Sequence, residues 1–494
     1  MDGEVKGGRQ RADSNVGLAT VSDVSCKLNL SKRKSTMVRS LGSRLLFLAV
    51  GLGLVMTGSL SAEPSQRMCD VTEYGAVGDG ETLNTAAINR AIDACAEAGG
   101  GKVLVPAGDF LTGSVVLRSN VTLKIAEGGR LAGTDSLSAY RYLDLENGRL
   151  GAKLREEDNR WHRALILGND IENVKIVGPG VIDGRDVYDP KGEAGMRGPH
   201  TVLIGDSRNL TVQGVHVTHS PNYAVFFRGC KNVTVRETKI TGGWDAVHFR
   251  SYDGRPNRDL RITDSEFYTG DDAIAGRYVE GLHIEDNLIN SSCNGIRIIG
   301  PAQDMVVRNS TFRGPGKYPH RKQNRTNMLA GILLQPGAWD ASPGPMTNVT
   351  ITDVTMENVT APLQIYLKRE DNTADDIRVE NLTATGVYRG ALSVESWTDQ
   401  PVGAVHFENV DLQYAYEEAP DERARHKAQK PHVGARPLPA WGVFAKNVEK
   451  LTFEDVKMRT TKADPRPATI FRKVGNLKRH DVRFSRRAGE PPAR

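Results

Sequence analysis

Short alternations of apolar and polar residues, each headed by a small polar residue, recur along most of the chain: NVKIVG, NLTVQG, NVTVRE, DLRITD, GLHIED, DMVVRN, NVTITD, DIRVEN, AVHFEN and KLTFED. A period of two marks a strand with one buried face. The second residues are Val174, Leu210, Val233, Leu260, Leu282, Met305, Val349, Ile377, Val405 and Leu451. Their separations are 36, 23, 27, 22, 23, 44, 28, 28 and 46, mostly one or two units of about 22 to 28 residues. No crossover helix fits inside such a unit, so each must be a coil of short strands and turns. Stacked coils of this kind predict an all-β fold, a single-stranded right-handed parallel β-helix with rungs about 4.8 Å apart.

Open rungs expose unpaired backbone, so the ends of a solenoid need covers. The stretch NTAAINRAIDACAEAGGG places Ile88, Ala91, Ile92 and Cys95 at helical spacing. It predicts an N-terminal capping helix over the first rung, with Asn84 as N-cap and Gly99 as stop. Residues 135–165 and 416–439 interrupt the repeat and are expected as loops beside a groove. One solenoid domain is expected over residues 63–485.

Stacking converts sequence offset into spatial adjacency. Twelve residues beyond Leu210, Val233, Leu260 and Leu282 stand Asn222, Asp245, Asp272 and Asn294, predicted at equivalent places on four consecutive coils, with Asp271 beside Asp272. The segments that follow are NYAVFF, DAVHFR, DAIAGR and NGIRII. Alternation then predicts Ala224, Val247, Ile274 and Ile296 in the core. Val225, His248, Ala275 and Arg297, followed by Phe227, Arg250, Arg277 and Ile299, are predicted to face solvent. The result is a basic wall around three carboxylates.

Three such carboxylates cannot all ionise cheaply, so one holds a proton while another stays charged. That is the division of labour for cleaving a glycosidic bond, with an acid for the leaving oxygen and a base or nucleophile across the ring. Arg and His nearby suit an anionic sugar. The plainer readings are an Asp-Asp turn or a weak Ca²⁺ site, an asparagine ladder saturating turn backbone at Asn222 and Asn294, and a solvated basic face. The shared register of Asp245 and Asp272 favours the catalytic reading. The repeated Asn-x-Thr tripeptides read as rung grammar.

Charge and cysteines alter the picture only locally. Residues 1–62 carry nine Lys/Arg against four Asp/Glu, leaving 56 of each in the rest of the chain. The remainder is neutral, which gives no footprint for nucleic acid. From Met37, a basic start, an apolar run Leu45–Met56 and small residues to Ala62 read as a secretory signal peptide, too short for a good membrane anchor. A secreted or periplasmic protein follows, with no stable membrane insertion. An oxidising destination permits a Cys69–Cys95 disulfide, while Cys230 and Cys293 are expected as buried thiols; the spacing matches no metal pattern. Neither metal nor cofactor is expected, and a monomer is.

From VTEYGAVGDGETLNTAAINRAIDACAEAGGGKVLVPAGDF through GVIDG, HSPNYAVFFRGCKNVTV and TGDDAIAG, the chain resembles the pectin-lyase-like β-helix proteins, and within them glycoside hydrolase family 28, the polygalacturonases. The resemblance spans roughly residues 69–400. It implies inverting hydrolysis with acids from an Asn-Thr-Asp and a Gly-Asp-Asp motif. Asp245, here in Gly-Trp-Asp, matches the first; Gly270, Asp271 and Asp272 match the second. Asp271 is then the implied proton donor, and Asp245 and Asp272 the implied activators of water. The family's Gly-His-Gly is Cys293, Asn294 and Gly295 here, and its carboxylate-gripping Arg-Ile-Lys is Leu333, Leu334 and Gln335. Arg250, Arg277, Arg297 and Lys368 are the candidates for a rebuilt anion site, suited to a uronate-containing or sulfated polysaccharide. The alternatives are a lyase with Arg277 or Arg297 as base, and a non-catalytic glycan-binding solenoid.

Overall fold

The computed structural model describes residues 67–143, 162–251, 254–339, 341–416, 436–462 and 464–486. The expected leader and signal peptide, and most of both expected insertions, therefore lie outside the described residues. Among those described, no helix is long and apolar enough to cross a membrane.

The molecule is a parallel β-helix. Among the described residues, 34 strands join into one continuous parallel ladder system. All ten apolar positions taken from the repeat pair rung to rung in an unbroken row, from Val174↔Leu210 through Leu260↔Leu282 to Val405↔Leu451. Each is at most 2 % exposed. The long gaps of 44 and 46 residues thus hold one rung plus a loop, not two rungs.

The small polar residue at the head of each strand has a conformational reason. Asn173, Asn209, Asn232, Asp259, Asp304, Asn348 and Asp376 all have φ between 47° and 57°. Asn and Asp tolerate this left-handed turn far better than other side-chain-bearing residues. The same side chains form a ladder in which Asn232 Nδ2 donates to Asn209 Oδ1, Asn209 to Asn173, and Asn173 to Asn120, each at 2.9 Å.

The capping helix runs Thr85–Glu97 and buries Ala87, Ile88, Ala91, Ile92 and Cys95 against the first strands. Gly99 follows it with φ 93°. Asn84 precedes the helix, but its side chain makes no cap bond. Instead its Oδ1 accepts from the Val77 N–H and its Nδ2 donates to the Val77 carbonyl, tying down the preceding loop. Cys69 and Cys95 are neighbours, as expected, but stand as free buried thiols and not as a disulfide. Cys230 and Cys293 are buried free thiols.

The ladder that carries the candidate acids includes His200–Gly205, Val225–Arg228, Val247–Arg250, Ile274–Gly276, Asn294–Ile298, Ala330–Leu334, Leu363–Leu367 and Leu392–Ser396. Inside the coil, Val225, Val247, Ile274, Ile296, Ile332 and Leu363 stack in register, each 0 % exposed. At the far end, Thr469–Arg486 pairs along its length with Val443–Thr460.

Candidate active site

Asp245, Asp272 and Asn294 stand two residues before Val247, Ile274 and Ile296, which are direct partners, so the predicted stacking holds for these three. Asn222 does not join them. Val225, not Ala224, pairs with Val247, which puts Tyr223 at the Asp245 level. Thr218 pairs with Thr241, and the turn from Thr218 to Val225 is one residue longer than that from Thr241 to Val247. A one-residue slip moves every side chain to the other face. On this rung Val225 and Phe227 are therefore core residues, and Phe226 takes the outward place beside His248.

The predicted basic wall exists, but under cover. His248, Arg277 and Arg297 are all buried, and Arg250 is half-buried at the Arg277 level. Lys368 stands further along, its backbone N–H bonded to the Pro336 carbonyl.

The acids sit on a tight backbone turn. A Cβ on Gly270 would lie 2.5 Å from the Gly243 carbonyl of the previous rung. Only glycine allows this approach, which sets Asp271 and Asp272 directly over the Asp245 turn. Thr269 Oγ1 donates to the Asp271 carbonyl at 2.9 Å and pins the loop.

Each carboxylate has a different environment. Asp272 Oδ1 accepts the Asn294 backbone N–H at 2.9 Å and its Nδ2 at 2.7 Å, and Arg297 Nη1 lies 3.6 Å from Oδ2. Burial raises its pKa nonetheless, helped by the charge of Asp271 and opposed by Arg297. Asp245 Oδ2 is 2.8 Å from His248 Nδ1, and the imidazole stacks on Tyr223 at 3.9 Å and 5°. Burial, then the charges of Asp271 and Asp272, hold Asp245 well above the usual carboxylate range. Burial and the surrounding arginines hold His248 well below its ordinary value. Both shifts favour the uncharged form of each partner.

Asp271 is the exception. Burial pushes it up, but Arg197, His320, the Cys293 thiol and Arg297 together pull it below its ordinary value. Arg197 Nη2 donates to Asp271 Oδ2 at 3.0 Å. Its guanidinium lies 3.6 Å over the Trp244 ring and Nη1 contacts Glu193 at 3.0 Å. His320 Nε2 is 3.8 Å from Asp271 Oδ1. The backbone N–H groups of Gln323 and Lys322 donate to His320 Nδ1 at 3.1 and 3.3 Å, which leaves the ring proton on Nε2, facing Asp271.

Arg197, His320, Tyr223 and Trp244 were not singled out by the repeat. Arg197 comes from the loop ahead of His200–Gly205 and His320 from the loop ahead of Ala330–Leu334. Both lie outside the coil, where counting from an anchor places nothing. Trp244 and Tyr223 had a signal, since one precedes Asp245 and the other is its partner once the rung is slipped by one.

Asp271, Asp272 and Cys293 bring ligand atoms within 4.8 Å of one another. Burial and the two acids hold the Cys293 thiol well above its usual range, and Arg325 Nη2 lies 3.3 Å from its sulfur. A protonated thiol among guanidinium groups is a poor cation ligand. The trio works better as a hydrogen-bonded acid cluster.

Residues 95–426 match glycosyl hydrolases family 28. An endo-polygalacturonase of Pectobacterium carotovorum subsp. carotovorum is 25% identical over 69% of this chain and 98% of its own length. An exo-poly-alpha-D-galacturonosidase of Dickeya chrysanthemi is 28% identical over 44% of this chain, which spans 43% of that relative. In fold, the chain is similar to an exopolygalacturonase of Thermotoga maritima, with TM-score 0.51 and 19% identity over 79% of this chain and 91% of the other.

Proposed function

The chain belongs to glycosyl hydrolases family 28, and from that premise we propose that it is an exported hydrolase of an acidic polysaccharide, with polygalacturonate or a related uronate-containing or sulfated polymer as substrate. Asp271 donates a proton to the leaving glycosidic oxygen. Asp245 and Asp272 take a proton from the water that attacks the anomeric carbon from the opposite side. One C–O bond breaks, one forms, and each product carries a hydroxyl; the enzyme gives up one proton at Asp271 and gains one at the base, and the cycle closes when the base releases its proton and Asp271 takes one up.

The observation that carries the reading is geometric: Asp245 and Asp272 stand at matching places on adjacent rungs, and the close approach at Gly270 sets Asp271 beside them, so three carboxylates converge on one spot. Arg297 supports the anionic substrate. It stands opposite Leu333, at the altered family clamp, with Nη2 on Gln335 Oε1 at 3.3 Å and its guanidinium 5.1 Å over the Trp339 ring. Arg250, Arg277, Asn222 and Lys368 are assigned to substrate contact, and Asn294 and His248 to holding Asp272 and Asp245.

The test is a screen of pectic and sulfated polysaccharides for new reducing ends, with proton NMR of the first-formed anomer. Hydrolysis with inversion is expected. The substitution Asp271→Asn is expected to lower kcat thousands-fold, about 4 kcal/mol of transition-state stabilisation, with an unchanged melting curve. Products that absorb in the ultraviolet from a new double bond would identify a lyase instead.

A further inference from the structure

In the free protein, the residue assigned as proton donor is the most acidic of the three acids. Asp271 is also the most accessible, its side chain 15% exposed against 6% for Asp245 and 5% for Asp272. A substrate reaching the cluster therefore meets Asp271 and its partner Arg197 first.

Arg197 is only 8% exposed, yet its Nε makes no hydrogen bond among the described residues. Its position is held without Asp271, by the Trp244 ring, by Glu193 and by Asn222 Oδ1 at 3.4 Å from Nη1. A guanidinium so tethered, with an unused donor, can exchange one carboxylate for another by a small rotation. A planar fork of donors suits a sugar carboxylate as well as it suits Asp271.

We propose that Arg197 is a specificity-determining latch: it pairs with Asp271 in the free protein and passes to the carboxylate of the incoming sugar, leaving Asp271 to take up the proton it gives to the leaving oxygen. The latch rests on the hydrolase reading above and explains its awkward point. The same transfer brings the anionic sugar beside Asp271, and both changes favour the protonated acid. The other groups that face Asp271 stay in place. They are Glu193 from the Arg197 loop, Asp245 from the preceding rung, its neighbour Asp272, Cys293 (itself contacted by Arg325) and Arg297 from the following rung, and His320 from the covering loop. With Asp271 protonated, Asp245 loses a reason to hold its own proton and becomes the base. A neutral sugar releases nothing, so the acid is armed only by an anionic one.

The pH dependence of kcat/KM reports the free enzyme and that of kcat the complex. On polygalacturonate oligomers, the alkaline limb of kcat is expected about one pH unit or more above that of kcat/KM, the size of effect an adjacent opposite charge has on a carboxylate. On the same oligomers methyl-esterified, the two limbs are expected to coincide and kcat to fall. In Arg197→Gln the limb of kcat/KM moves up and the gap to that of kcat narrows, and KM for the free acid rises at least tenfold. The wild-type comparison of free acid with ester needs no variant, so it stands even where Arg197→Gln folds poorly. Coincident limbs on the free acid, or a gap undiminished in Arg197→Gln, overturn the latch while leaving the hydrolase intact. Absence of hydrolysis of every acidic polymer overturns both.

Discussion

His320 illustrates how a side chain can act through its tautomer. With Nδ1 occupied by two backbone N–H groups, the ring can only donate from Nε2, and burial with the Arg325 and Arg197 charges keeps it neutral despite Asp271. The side-chain amide of glutamine places an N–H near the same spot. His320→Gln is expected within threefold of wild-type kcat/KM, whereas His320→Ala, which removes the polar group 3.8 Å from Asp271 Oδ1, is expected to lose about tenfold, about 1.4 kcal/mol. Steady-state kinetics on a uronate oligomer check this. Asp245 makes a stability prediction of opposite flavour. Its folded pKa is raised above the unfolded value, so it costs nothing below about pH 3.9 and destabilises progressively as pH rises above that. Asp245→Asn is expected to abolish turnover and to raise Tm at pH 7 more than at pH 4, measurable by scanning calorimetry. A function-bearing acid that weakens the fold is the usual bargain at active sites.

At the level of strands and turns, the sequence was transparent wherever one physical rule repeats. All ten rung positions were legible because each must be apolar, and eight of them are directly preceded by a residue with a left-handed φ. The same rule gives a sharp test. Asn232 has φ 53° and donates along the ladder at 2.9 Å. Asn232→Val is expected to lower stability by about 1–2 kcal/mol, the cost of a left-handed turn at a side-chain-bearing residue, while Asn232→Gly is expected to be much milder; urea denaturation distinguishes them. Legibility failed at Asn222, where a single extra residue in the His219–Pro221 turn reversed the faces of one rung. It failed again at Arg197 and His320, because loops between rungs obey no period. The three acids, with His248, Asn294 and Arg297, were brought to neighbouring rungs because they ride on the repeat, whereas Arg197 and His320 do not.

For the molecule as a whole, the two ends of the solenoid are finished differently. The first strands lie under the Thr85–Glu97 helix. The strand Thr469–Arg486 instead has a neighbour on one side only among the described residues, and Phe471, Val474, Leu477, Val482 and Phe484 are only partly buried there. Arg472, Lys473, Lys478, Arg479 and Arg483 are all exposed along it, with Asp481 as the acidic counterweight. Charges spaced along an edge strand disfavour docking of two such faces by mutual repulsion, a colloidal defence. Repulsion of this sort fades as the Debye length falls from about 10 Å at 0.1 M salt to about 3 Å at 1 M. Sedimentation velocity is expected to show a monomer in dilute buffer and end-to-end pairs at 1 M sodium chloride, with Lys478→Ser/Arg479→Ser shifting the onset to lower salt; a sedimentation coefficient indifferent to both would mean that the strand's outer rim is shielded by something other than its charge.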